Sequence, residues 1–222
     1  SCQSRKGKES GSEFDVPDSV ITAEVVTISS EALEEIVQNV SSPIEMAALI
    51  KEIGVPFSTK YLATTEYVNQ YNTSFRMAYN LGVFGADLGY LNIYDKSNQV
   101  VDYLTAINKL ADGIKVGQFF DFETLKRLAT SRESIDSLMY ISVNSFNNMD
   151  LYLRDNSRGH LSALMITGTW IEGMYLVTQV ANEKSNPELT ERIGEQKVNL
   201  NNLMLILDSY KELPQISDII QS

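Results

Sequence analysis

Residues 161–181 constrain this chain most, because they carry one charge, Glu172, and the only tryptophan, Trp170. Their apolar side chains keep to no single stripe. Leu161, Leu164, Met165, Ile166, Trp170, Ile171, Met174, Leu176, Val177 and Val180, with Tyr175, go right round a helix. A helix that is apolar all round sits in the centre of a bundle or in a membrane. The stretch is just long enough to span a bilayer, but a mid-helix glutamate among Thr, Gly and Gln argues against that. It reads as a central helix with others around it. A second stretch of the same kind runs over about 74–94, with only Arg76 and Asp87 charged.

The flanking sequence supplies the surrounding helices. Ser29 or Ser30 caps a helix with Glu31, Glu34 and Glu35 in its first turns, where the helix dipole favours them. Ser41-Ser42-Pro43 starts another, which Gly54 stops and Pro56 keeps from resuming. Thr64 or Thr65 caps the next helix. Ser97 opens an amphipathic helix through Val100, Leu104, Ile107 and Leu110 that ends at Gly113, and Asp121 caps a short helix after it. Apolar residues recur with helical spacing from Ile135 to Leu153. Pro187 opens the last long helix, whose Leu189, Ile193, Leu200, Leu203, Leu207 and Tyr210 make one stripe, and Pro214 ends it before a final turn. Short loops join antiparallel neighbours. The reading is an all-α single helical bundle of about eight or nine helices around the two apolar central helices, about 74–94 and 161–181. Residues 17–222 form that domain, and residues 1–16 are a flexible polar tether. Residues 19–28 are β-branched and read as a strap or lone edge segment.

The two central helices share a weak echo, Asp87-x-x-Tyr90-Leu91 and Glu172-x-x-Tyr175-Leu176, each preceded by a glycine and an aromatic residue. A duplicated helical unit would produce it, and so would chance, since the glycine-to-acid spacing differs by one residue. The match falls well short of the repetition that solenoids show.

Composition narrows the chemistry. A net charge of -11 makes a nucleic-acid partner improbable. One cysteine and one histidine leave no intrachain disulfide and no zinc set, and a Ser-His-Asp site could use only His160. His160 follows Arg158-Gly159 at a helix start and reads as a surface or capping residue. The glycines of GVFGADLG (82–89) fall within a helical pattern with no strand before them, so they read as helix-packing positions rather than a phosphate-binding loop. The paired Glu-x-x-His pattern of diiron bundles is absent. No catalytic residue, metal or cofactor follows from the sequence.

Two carboxylates call for an explanation. A charged carboxylate in an apolar setting costs several kcal/mol unless it is paired, and otherwise its pKa rises. Asp87 and Glu172 could face each other across the central helices in a polar pocket lined by Tyr79, Tyr90, Trp170 and Tyr175, binding a cation or acting as acid and base. The structural alternative has each carboxylate taking hydrogen bonds from tyrosine hydroxyls or pairing with an arginine. Arg76, about three turns from Asp87, could reach only a carboxylate on an antiparallel neighbour.

Cys2, after Ser1 and before the polar run Gln3 to Ser12, resembles the mature start of a bacterial lipoprotein. Asp18-Ser19-Val20 resembles the O-glycosylation acceptor of exported Bacteroidota proteins. Together with SSPIEMAALIKEIGVPFS (41–58), GVFGADLGYLNIY (82–94), GQFFDFETLKRLA (117–129) and GTWIEGMYL (168–176), the chain resembles a family of uncharacterised small all-α lipoproteins of Bacteroidota, over nearly its whole length. The resemblance brings no activity. It implies a cell-envelope protein anchored to the membrane by a lipid on Cys2, with the periplasmic side favoured because the acidic run of surface lipoproteins is missing. Three functions fit: a non-enzymatic protein binding a small ligand or an envelope protein in an inter-helical cleft; an enzyme or cation site at Asp87 and Glu172; or a structural assembly protein with no ligand.

Overall fold

Helix ends set the order of the chain. The structure, a computed structural model, describes residues 50–131 and 135–221. The tether with Cys2, the 19–28 segment, the helix after Ser30 and all but the end of the helix begun at Pro43 lie outside them. Every regular element among the described residues is helical. The helices are α1 (Ser74–Ile93), α2 (Ser97–Gly113), α3 (Phe122–Ser131), α4 (Ile135–Asp155), α5 (Gly159–Glu183), α6 (Pro187–Asp208) and α7 (Pro214–Gln221), with single-turn or short 3-10 helices at Thr59–Tyr61, Thr65–Gln70 and Gly117–Phe119.

The starts follow capping chemistry. Thr73 Oγ1 accepts from the Arg76 amide at α1, Asp121 Oδ1 from the Thr124 amide at α3, and Asn186 Oδ1 from the Leu189 amide at α6, where Pro187 takes the first position. The stops share one device. Gly54, at φ 76°, closes the helical turn before it, with Val55 N donating to Ile50 O and Gly54 N to Lys51 O. The same pair of bonds ends α1 at Asp95, α2 at Lys115 and α4 at Ser157, each with positive φ and none of them glycine. The α2 helix ends at Gly113, the glycine that the sequence points to, and the left-handed residue that closes its last turn is Lys115.

Successive helices pack as hairpins: α1 with α2, α2 with α3, α3 with α4, α4 with α5, α5 with α6, and α6 with α7. The exception organises the molecule. Helices α1 and α5 lie side by side and run the same way, with Phe75 beside His160, Gly82 against Gly168, and Asp87 beside Glu172. The contact at the glycines is reciprocal. A Cβ on Gly82 would lie 1.9 Å from Met165 O and 2.7 Å from Thr169 N, and one on Gly168 would lie 2.1 Å from Tyr79 O and 3.3 Å from Val83 N. Each glycine thus faces the same two backbone positions of its partner helix. Thr169 Oγ1 closes the crossing by donating to Gly82 O at 3.2 Å. This local two-fold relation is centred on the glycines rather than on the acids.

The two central helices are not equally enclosed. From Leu81 to Ile93, α1 is buried apart from a half-buried Gly85. The α5 helix is buried through its first half but turns Ile171 and Tyr175 to solvent. The main core gathers Leu81, Phe84, Leu88, Leu104, Ile107, Leu110, Leu161 and Leu164, and a smaller one at the far end gathers Tyr90, Leu176, Val177, Val180 and Leu189 with Ile50, Val55 and Tyr61. Each such side chain, fully buried, contributes roughly 1.5–3 kcal/mol. On α6 the expected stripe is corrected: Leu200 is 40% exposed, and the inward face runs through Gln196, Asn199, Leu203 and Ile206. Gln196 Oε1 accepts from Trp170 Nε1 at 3.3 Å and from Asn199 Nδ2 at 2.9 Å, so a polar cluster takes the place a leucine stripe would have filled.

Candidate functional site

The segment 54–64 crosses the ends of α1 and α5 and supplies the polar partners of the candidate site. Phe57 stacks on Tyr90 with ring centroids 5.5 Å apart, and Lys96 Nζ lies 4.7 Å over the Phe57 ring. Lys51 Nζ donates to Ile93 O at 2.6 Å, in the last turn of α1, where a cation also favours the helix dipole. Lys60 pairs with Glu183 at the end of α5. The segment is thereby fastened to both helices.

At its end the Ala63 amide donates to Asp87 Oδ2 at 3.0 Å, and the Ala63 carbonyl accepts from Tyr103 Oη at 2.7 Å. Asp87 is 0% exposed and Glu172 9%. The two carboxyls lie within hydrogen-bonding reach of one another. Asp87 Oδ1 and Glu172 Oε1 have no hydrogen-bond partner. A bond between them needs a hydrogen, which a fully ionised pair does not have. Burial first, then the charge of Glu172, pushes Asp87 well above the usual carboxyl range, against the opposing pull of the Ala63 amide. Burial pushes Glu172 up to about 7, against the opposing pull of its bond with Asp87. Two carboxyls this close titrate as one system.

The structure brings together only part of the predicted set. Asp87 and Glu172 do face each other. Tyr79 is near enough for the Glu172 charge to act on it, although burial is the larger cause of its raised hydroxyl. Tyr90 is buried but turns its hydroxyl to the Ser58 amide at 3.1 Å. Trp170 points to Gln196, and Tyr175 is exposed. Arg76 is exposed in the first turn of α1. It lies about 16 Å along that helix from Asp87, and the parallel course of α5 puts His160 rather than Glu172 at its level. Neither a tyrosine hydroxyl nor an arginine satisfies the acids: the Ala63 amide takes one oxygen of Asp87, and Asp87 Oδ1 and Glu172 Oε1 are left without a donor. Tyr103, which the sequence reading missed, is the tyrosine at this site, its hydroxyl pushed up by burial and then by Asp87 and Glu172. Its period on α2 marked it as inward, but nothing in the sequence tied α2 to the acids.

His160 is also corrected. It is 4% exposed, with Phe75 at 5.5 Å and Tyr210 at 6.3 Å between ring centroids. The tight turn at Ser157 carries the first turn of α5 straight into the core. Nearby, Asp150 accepts from Ser162 Oγ and from Arg154. With the aspartate bonded directly to the serine and all three of Asp150, His160 and Ser162 buried, this cluster braces α4 against α5 and does not have the order of a nucleophilic triad. Among the described residues no group of three or more His, Cys, Asp or Glu side chains could hold a metal ion, and no helix is long and apolar enough to cross a membrane.

No protein-family model matches the chain, and neither the curated proteins nor the solved structures yield a match.

Proposed function

We propose that this chain is a non-enzymatic cell-envelope lipoprotein that binds a protein partner through the outer face of α4. One observation carries the binding half of the reading. In a chain that is 21% charged, residues 137–149, SLMYISVNSFNNM, carry no charge at all. Their outward positions include Tyr140, which is 71% exposed, together with Val143, Asn147 and Asn148, and Leu151 continues the stripe. A solvated helix face ordinarily carries charge. Tyr, Asn and Ser around apolar side chains make the kind of surface that recognises another protein. The carboxylates support an enzyme or cation site less well, because Asp87 has no exposed surface from which to meet a substrate.

The envelope half rests on Cys2 and the polar run after it, with the lipoprotein family resemblance. In a producing cell, Cys2→Ala is expected to release the protein from the membrane fraction. An unaltered distribution overturns the anchor. A photo-crosslinker at position 140 is expected to give one discrete protein adduct, lost with Leu151→Glu, whereas a crosslinker at Glu191, exposed on the charged first half of α6, gives none. Equal labelling from both positions, or none from either, overturns the binding face.

A further inference from the structure

We infer that Asp87 and Glu172 form a site for a single proton, and that this proton ties α5 to α1 and, through the Ala63 peptide, to the segment 54–64 and α2. The inference is independent of the partner proposed for α4. It starts from hydrogen-bond accounting. Asp87 Oδ2 is taken by the Ala63 amide, and the Ala63 carbonyl is taken by Tyr103 Oη. What remains is Asp87 Oδ1 and Glu172 Oε1, two buried acceptors with no donor. Fully ionised, they would leave two acceptors and two charges at hydrogen-bond distance in a sealed site. One proton converts them to a donor and an acceptor. A second proton adds nothing, because Asp87 Oδ2 already has its donor.

Among the described residues, the surroundings supply no other counter-charge. On α1 the facing titratable group is Tyr79, on α2 it is Tyr103 with Asp102 beside it, and the segment 54–64 contributes the Ala63 amide. The α4 helix meets α1 here with the Phe146 ring, which lies against Gly85. Both tyrosine hydroxyls are raised by burial and stay neutral. Among the described residues, no lysine, arginine or histidine acts on either carboxyl.

The two acids are unequal, and this gives the site a direction. Asp87 is sealed and held by the Ala63 amide, whereas Glu172 keeps an edge to solvent. The proton therefore leaves by way of Glu172, and Glu172 is the side chain that swings out once both are charged. Its movement frees the middle of α5, where Gly168 and Trp170 lie within the preceding turn. The Asp87–Ala63 bond survives, because an ionised carboxylate is the better acceptor.

Trp170, the chain's only tryptophan, reports the event. On the intact protein, Trp170 emission is expected to pass through a transition centred near pH 7, with the ¹³C resonance of the Glu172 carboxyl titrating at the same midpoint. Asp87→Asn offers a permanent N–H to Glu172 while its oxygen keeps the Ala63 amide, and Glu172→Gln offers one to Asp87. Both are expected to abolish the emission transition. Should either variant fail to fold, the carboxyl titration of the unmodified protein still decides. A Glu172 carboxyl already ionised at pH 5.5, or an emission transition that persists in folded Asp87→Asn, overturns the inference.

Discussion

At the scale of the residue, the chain accepts unfavourable choices only where something else fixes them. Asp95, Lys115 and Ser157 all occupy the left-handed region at helix ends, where a side chain costs roughly 1 kcal/mol relative to glycine. Lys115 is exposed, with φ 60° and its amide bonded to Asp112 O at 3.0 Å. Replacing it removes no burial. Lys115→Gly is therefore expected to raise stability by about 0.5–1 kcal/mol, read from urea unfolding; a loss of stability would show that the lysine makes a contact worth more than its strain. The acids were legible at this scale. A lone carboxylate in each of two apolar helices announces that it needs a partner. What answered the need was not legible, because the Ala63 amide is a backbone group at a position of no distinguishing sequence, and a shared proton leaves no sequence mark. Arg76 looked available only because charge is easier to see in a sequence than direction of packing.

At the scale of the element, helix existence was readable and helix neighbourhood was not. Thr73, Asp121, Asn186 and Pro187 start helices as their chemistry requires, and the long apolar periods of α1 and α5 place both in the core. The inward face of α6 departs from the leucine period at Leu200, since Gln196 and Asn199 satisfy one another and Trp170 and so can be buried where a period count sees polar residues. The parallel course of α1 and α5 could not be read from loops, which describe only consecutive helices. Their crossing depends on Gly82 and Gly168, where backbone touches backbone. Gly82→Ala is expected to destabilise by about 3 kcal/mol, the upper range for overpacking, because a carbonyl and an amide cannot move aside as a flexible side chain can. Gly168→Ala should match it, as the contact is reciprocal. Gly194→Ala, with nothing within 4 Å of the added methyl, is the control and should be neutral or stabilising. Similar values at all three positions would contradict the close crossing.

At the scale of the molecule, hairpins are wrapped around one parallel helix pair, and that pair is joined at the middle by glycines and further on by a proton. The arrangement ties stability to pH with a definite sign. A carboxyl whose pKa is raised on folding binds its proton more tightly in the native state, so stability is highest on the acid side and falls as pH rises from the unfolded value to the folded one. For Glu172 that window runs from about 4.5 to about 7. The rise corresponds to roughly 3 kcal/mol of preference for the protonated form. Asp87, raised in the same direction, extends the decline upward. The Lys60–Glu183 pair is exposed at the surface and adds little to this balance. The most direct measurement is the free energy of urea unfolding at a series of pH values from 5 to 8, for the unmodified protein and for the double variant Asp87→Asn, Glu172→Gln. The shared proton predicts that the unmodified protein loses stability relative to the variant as pH rises, by an amount of the order of that 3 kcal/mol. Two profiles that run parallel across the range would contradict it.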